Sequence, residues 1–230
     1  MLSRLMQSSK SAESPITVLD PTDAASEAYR TLRTSLLCVQ TDTLPMTVVV
    51  TSPGHQEGKS ATCANLGVVL AQANKRTLIL DCALRAPDMH EIFGLRNVSG
   101  VANVLAGEAD LAEVLQEPLP ELKVATSGPS VPNAAELLSS DRFTELIGQM
   151  SGEFDYVLVD TSPMGVVSDA LLLANQADGV LLVLDSRKTR ESALRESMRA
   201  LETVGANLLG TVMNNVKDGR TRYRGNVYGR

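Results

Sequence analysis

Residues 47–62 read TVVVTSPGHQEGKSAT. Thr47-Val48-Val49-Val50 is a β-branched run of the kind that forms a buried strand. A turn through Pro53, Gly54, His55, Gln56 and Glu57 follows, then Gly58-Lys59-Ser60, then a helical pattern. Strand, phosphate-sized loop, Gly-Lys-Ser and helix make up a P-loop, whose backbone N–H groups and helix N-terminus face phosphates. In that reading Gln56, Glu57, Gly58, Lys59, Ser60 and Ala61 form the phosphate cradle. Lys59 reaches the β/γ-phosphates and the Ser60 hydroxyl meets Mg²⁺. The usual pattern has Gly where this chain has Pro53.

Outward from the loop, apolar strands alternate with amphipathic helices. Further strands are expected at 76–82, 122–125, 156–160, 179–184 and 208–213. Helices are expected from Pro21-Thr22-Asp23 onward, over 58–74, from Pro87, from Asp141, near 171–173 and from Thr189, with short helical turns at 101–106 and 111–115. Asn133-x-x-Glu136 has the spacing of a capping box. The alternation predicts an α/β, three-layer P-loop NTPase fold: a mostly parallel sheet, helices on both faces, ligand beyond the strands' carboxyl ends. Three segments are expected: a flexible or extended arm (1–20), the folded domain (21–216) and a basic tail (217–230).

The chain has 230 residues and a net charge of −6, with no Trp and few aromatics. Nucleic acid therefore finds neither electrostatic support nor stacking platforms. The exception is residues 217–230, with a local excess of +4 and with Tyr223 and Tyr228. Cys38, Cys63 and Cys82 are scattered, which fits neither a disulfide framework nor a zinc site and suits a reducing cytosol. No run of 18 apolar residues is present, so no membrane-spanning helix is expected.

Asp160 ends the strand YVLVD, as a Walker B aspartate does, and is expected to hold Mg²⁺ or position a nucleophile. Asp81 ends RTLILD; Arg85, four residues on, is placed to pair with it or with phosphate. Together Ser60, Asp81 and Asp160 form the expected metal set. On residue chemistry alone the acceptor stays open between water and a hydroxyl. His55 and His90 lack ligand spacing and read as incidental. Glu27, Arg30 and Arg33 flank an apolar stripe of Ala25, Tyr29, Leu32 and Leu36; by spacing they read as a solvated face with an internal Glu27–Arg30 pair.

Taken together, these segments resemble the bacterial protein-tyrosine kinases (BY-kinases), specifically their cytoplasmic kinase domain, over about residues 20–228. Glu27-Ala28-Tyr29-Arg30-Thr31-Leu32-Arg33 is similar to the family's E-x-x-R-x-x-R oligomerisation motif, Thr51–Ser60 to its Walker A loop, LILDCALR (78–85) to its Walker A′ segment and VLVDTSP (157–163) to its Walker B. Ser168-Asp169-Ala170, Asn214-Asn215-Val216 and the tail tyrosines also resemble it. The resemblance implies Mg·ATP-dependent autophosphorylation of Tyr223 and Tyr228 in trans within a ring-like homo-oligomer joined through Glu27, Arg30 and Arg33. It implies roles for Lys59, Asp81, Arg85 and Asp160 in catalysis and for Asn214 in nucleotide binding. It also implies a membrane-embedded activator of polysaccharide co-polymerase type, a place at the inner face of the cell membrane, and a part in exopolysaccharide or capsule export. The family's second Walker A′ aspartate falls at Ala83, which keeps a second reading open: a nucleotide-holding scaffold with little transfer. A MinD/ParA-type ATPase is a third; its extra P-loop lysine has no counterpart between Thr47 and Gly58.

Overall fold

The computed structural model describes residues 14–39, 46–150, 152–165 and 168–216. In chain order the elements are α1 (Ile16–Leu19), α2 (Ala24–Leu37), β1 (Met46–Thr51), α3 (Lys59–Ala71), β2 (Thr77–Asp81), α4 (Met89–Phe93), α5 (Val101–Ala106) and α6 (Leu111–Val114). There follow β3 (Leu115–Leu119), β4 (Leu122–Ala125), α7 (Ala134–Leu138), α8 (Asp141–Gln149), β5 (Tyr156–Asp160), α9 (Asp169–Ala174), β6 (Gly179–Asp185), α10 (Glu191–Thr203) and β7 (Leu208–Asn214).

The strands form one sheet in the order β3-β4-β2-β5-β1-β6-β7. Every pairing is parallel except β3 with β4. The central strands β1, β2 and β5 carry apolar residues on both faces because helices cover both. Val48, Val50, Ile79 and Leu158 pack into one core with α2, α3 and α4. Val49, Leu78, Leu80, Val157 and Val159 pack into the other with α5, α7 and α8. The alternation follows from the period of two along a strand. The three-layer fold expected from the sequence is present.

α3 is buried on nearly every side, because the sheet lies under it and α1 and α2 cover it. Gly67 allows the approach to the sheet: a Cβ there would sit 2.7 Å from Ile79 Cδ1. Leu66, Val69 and Leu70 are only part of its buried surface.

Four local expectations need correction. The helical turn expected at 111–115 is present as α6, but it stops at Val114, and the antiparallel edge strand β3 that begins at Leu115 was not expected. Pro118 argues against a central strand but is tolerated at an edge, where one side of the backbone has no ladder to complete. The arm 1–20 is not loose in its described part. Thr17 is buried, and its N–H and hydroxyl both donate to Asn65 Oδ1, at 3.0 and 2.9 Å. Ser26 Oγ ties the start of α2 to the same turn through the Asp20 carbonyl at 2.7 Å. Asn133 makes no side-chain cap on α7. Finally, Asp141, read from the sequence as the cap of α8, is the first residue of that helix, and Ser140 holds the cap position.

The α1–α3 seam rests on Asn65, whose Nδ2 also donates to the Ala61 carbonyl at 2.8 Å. Asn65→Ala leaves the buried Thr17 N–H and hydroxyl without their acceptor, a loss of about 1–3 kcal/mol. Urea unfolding should show that loss, and amide exchange should rise over residues 16–19. Unchanged exchange there would mean that α1 is held by other contacts.

Candidate active site

β1 delivers the chain to the loop, and Gly58 turns it into α3 with φ +91, a conformation suited to glycine. Gln56 also has positive φ, +55, without being glycine. The loop is held in that shape by its own side chains. Glu57 is buried; its Oε2 accepts from the Gly54 N–H at 2.8 Å, and its Oε1 accepts from the Thr189 hydroxyl. Asn214, at the end of β7, donates through Nδ2 to the Glu57 carbonyl at 3.0 Å and to Thr62 Oγ1 at 3.2 Å. Lys188 Nζ donates to the Gln56 carbonyl at 3.2 Å. Across the loop, the Gly165 N–H donates to the Pro53 carbonyl at 3.0 Å.

Asp81 and Asp160 end neighbouring strands and stand opposite each other in the β2–β5 register. Both are fully buried. Lys59 Nζ lies 3.5 Å from Asp160 Oδ2 and donates to Ser60 Oγ at 2.6 Å. Neither Asp160 oxygen has a hydrogen-bond donor in good geometry. Asp81 is better served: its oxygens accept from the N–H groups of Ala83 and Met89, each at 3.2 Å. Burial, and then the neighbouring Asp160, push the Asp81 carboxyl up to about 7. Burial also raises Asp160, against the pull of Lys59. Burial alone would lower the Lys59 ammonium, but Asp160, Asp88 and Asp81 outweigh it and hold it above the ordinary lysine range.

Above these groups opens a cleft of about 850 Å³ whose wall includes Tyr29, Gln56, Lys59, Ser60, Ala83 and Asp88. Its size suits a nucleotide. A divalent cation fits the residues beneath it. Asp160 offers two buried oxygens that receive no hydrogen bond in good geometry, Ser60 offers a hydroxyl, and Lys59 stands 3.5 Å from Asp160.

The other site residues expected from the sequence divide. Ala61, Gly58 and Arg85 line the cleft. Arg85 does not pair with Asp81, however: its Nε donates to Asp169 Oδ2 at 3.2 Å, in a carboxylate brought from α9. The side chains of Glu57 and Asn214 brace the loop from behind and are absent from the cleft wall. Glu27 and Arg30 form the internal pair at 2.8 Å, and Arg33 Nη1 donates to the Val69 carbonyl at 3.1 Å. Tyr223 and Tyr228 lie outside the described residues. Sequence reading missed Asp88, whose Oδ2 accepts from Ser60 Oγ at 3.3 Å, and Asp169 as the partner of Arg85. Pro87 marked a helix start there, and an aspartate beside it reads as a helix-end charge.

Residues 48–226 match the CobQ/CobB/MinD/ParA nucleotide binding domain family. The chain is 39% identical over 218 residues to the tyrosine-protein kinase YwqD of Bacillus subtilis, covering 94% of this chain and 92% of that one. It superimposes on the kinase domain of the Escherichia coli tyrosine kinase ETK with a TM-score of 0.86 and 32% identity, covering 100% of this chain and 89% of that one. For the chimerical protein CapA2B2 the TM-score is 0.83 at 32% identity, with 92% of each chain covered.

The buried carboxylates give the nucleotide-free protein a pH signature. Asp81 has a folded value of about 7 against 3.8 unfolded, so the folded chain keeps a proton that the unfolded chain has already released. The stability this contributes is complete below the unfolded value and is lost as pH rises through the folded one. Asp155 is held low chiefly by the Arg76 guanidinium and Asp185 by the Arg187 N–H, so both act at more acidic pH. The melting temperature of nucleotide-free protein should fall from about pH 5 to about pH 8. Asp81→Asn should flatten that slope; a variant that keeps the full slope would place the titration elsewhere.

Proposed function

The chain belongs to the bacterial tyrosine-protein kinases, within the CobQ/CobB/MinD/ParA nucleotide-binding domain family, and on that premise we propose that it transfers the γ-phosphoryl group of Mg·ATP to Tyr223 and Tyr228 of its own tail. The observation that carries this reading is the meeting of Lys59, Ser60, Asp81 and Asp160 at one end of the sheet, under a cleft of nucleotide size.

Phosphoryl transfer asks a protein mainly for positioning and charge stabilisation. The loop N–H groups and the start of α3 cradle the phosphates, and Lys59 supplies a mobile positive charge to the β/γ-phosphates. Ser60 and Asp160 would hold Mg²⁺, with Asp81 behind them fixed by two backbone N–H groups. When bound, the cation neutralises charge on the transferring group. Arg85, steadied by Asp169 at the rim of the cleft, is placed to meet either a phosphate or an incoming tail.

β7 ends at Asn214, against the P-loop. From there to Tyr223 the chain can span at most about 30 Å. That reach suits either its own cleft or that of an adjoining subunit. We favour the adjoining one, in a ring-like oligomer joined through the α2 face. Glu27 keeps 70% of its side chain exposed although it is paired with Arg30. No helix among the described residues is long and apolar enough to cross a membrane. The proposed setting is the inner face of the cell membrane, reached through a membrane-embedded activator of polysaccharide co-polymerase type, in the control of exopolysaccharide or capsule export. The second reading, a scaffold that holds nucleotide with little transfer, rests on Ala83, which stands on the cleft wall where the family's second Walker A′ aspartate falls.

Incubation with Mg·ATP, alone and with an activator fragment, should add phosphoryl mass to the chain, mapped by fragmentation to Tyr223 and Tyr228. Lys59→Met should lower the rate by at least about 10². Nucleotide binding with no mass gain under either condition would leave the scaffold reading in place of the kinase one.

A further inference from the structure

Asp88 precedes α4, where an aspartate ordinarily turns its carboxylate back onto the first N–H groups of the helix. Here it makes no such cap. The first of those N–H groups, on Met89, donates to Asp81 Oδ2 instead. The Asp88 carboxylate reaches the other way, into the cleft, where it accepts from Ser60 Oγ at 3.3 Å. Ser60 therefore stands between Lys59, which donates to it at 2.6 Å, and Asp88, to which it donates. Ala83, on the same wall, brings no ligand atom.

Asp160 thus lies 3.5 Å from the Lys59 ammonium, Asp81 stands beside Asp160 in the sheet, and Asp88 reaches Lys59 through Ser60. Independently of Asp88, neither oxygen of the fully buried Asp160 receives a hydrogen bond in good geometry, Lys59 Nζ standing 3.5 Å off. Such an arrangement is short of positive charge, and a divalent cation arriving with a nucleotide supplies it. Among the described residues no three side chains form a ready-made metal cage. That agrees with Mg²⁺, which keeps several waters and takes few protein ligands.

Resting on the Mg·ATP reading above, we propose that Asp88 is a further carboxylate of the nucleotide–cation site, gripping the hydrated cation from the exposed wall of the cleft while Asp160 faces it from the buried floor. Asp88 is a positioning residue: it orients the Ser60 hydroxyl and accepts hydrogen bonds from water on the cation. Carboxylates that orient metal ligands in this way matter to affinity even without touching the metal.

The test uses the full chain, with ADP and Mn²⁺ as probes. Mn²⁺ affinity in the ADP complex is read by electron paramagnetic resonance, and ADP affinity without metal by calorimetry. Asp88→Asn should weaken Mn²⁺ binding about tenfold. The same change should tighten metal-free ADP, because it removes a negative charge near the phosphates. Asp88→Glu, which keeps the charge, should retain more Mn²⁺ affinity than Asp88→Asn. Unchanged Mn²⁺ affinity in Asp88→Asn, equal losses in the two variants, or parallel weakening with and without metal would each overturn the assignment. Failure of the wild-type chain to bind ADP under either condition would instead overturn the nucleotide reading beneath it.

Discussion

Two aspartates buried side by side at the ends of β2 and β5, with Lys59 beside them, are the constraint on which the structure depends. Two carboxylates removed from water are costly unless a positive charge stays near. Lys59 provides one charge, 3.5 Å from Asp160, and is itself held protonated by the surrounding acids. The resting site is therefore balanced only in part. A magnesium nucleotide would complete it, bringing a cation for the carboxylates and phosphates for the lysine.

Keeping those groups in register falls to residues that never face the cleft. Glu57 fastens the loop to itself and to Thr189, and Asn214 fastens it to the last strand. A loop built on left-handed Gly58 and a left-handed non-glycine residue, Gln56, would otherwise relax. Parallel pairing of β1 with β5 and β6 then fixes where the loop sits relative to Asp160. The tie through Asn214 also holds the end of β7 beside the phosphate loop.

Much of this was legible in the sequence, because fully apolar strands and a Gly-Lys-Ser turn are local signals. Asp81 and Asp160 were recognisable as strand-final acids, and topology made them neighbours. What was not legible depended on side-chain direction or on distant partners. Asp88 resembles a helix-start residue until its carboxylate is seen turned toward Ser60. Arg85 was expected to pair with Asp81, four residues away, yet its partner Asp169 is 84 positions away. Glu57 and Asn214 were expected at the nucleotide, and the bracing of the loop by their side chains was not foreseen. β3 was hidden by Pro118, and α1 by its brevity: its burial comes from Asn65 rather than from an apolar pattern.

The central claim is that one subunit's lysine–aspartate site serves another subunit's tail. Mixing Lys59→Met chains, which keep their tyrosines, with Tyr223→Phe/Tyr228→Phe chains, which keep the site, separates donor from acceptor. Given Mg·ATP, phosphotyrosine should appear on the Lys59→Met chain. It should be lost when both carry Glu27→Ala, Arg30→Ala and Arg33→Ala. If the mixture stays unphosphorylated while the unmodified chain phosphorylates itself, transfer occurs within one subunit and the account is contradicted.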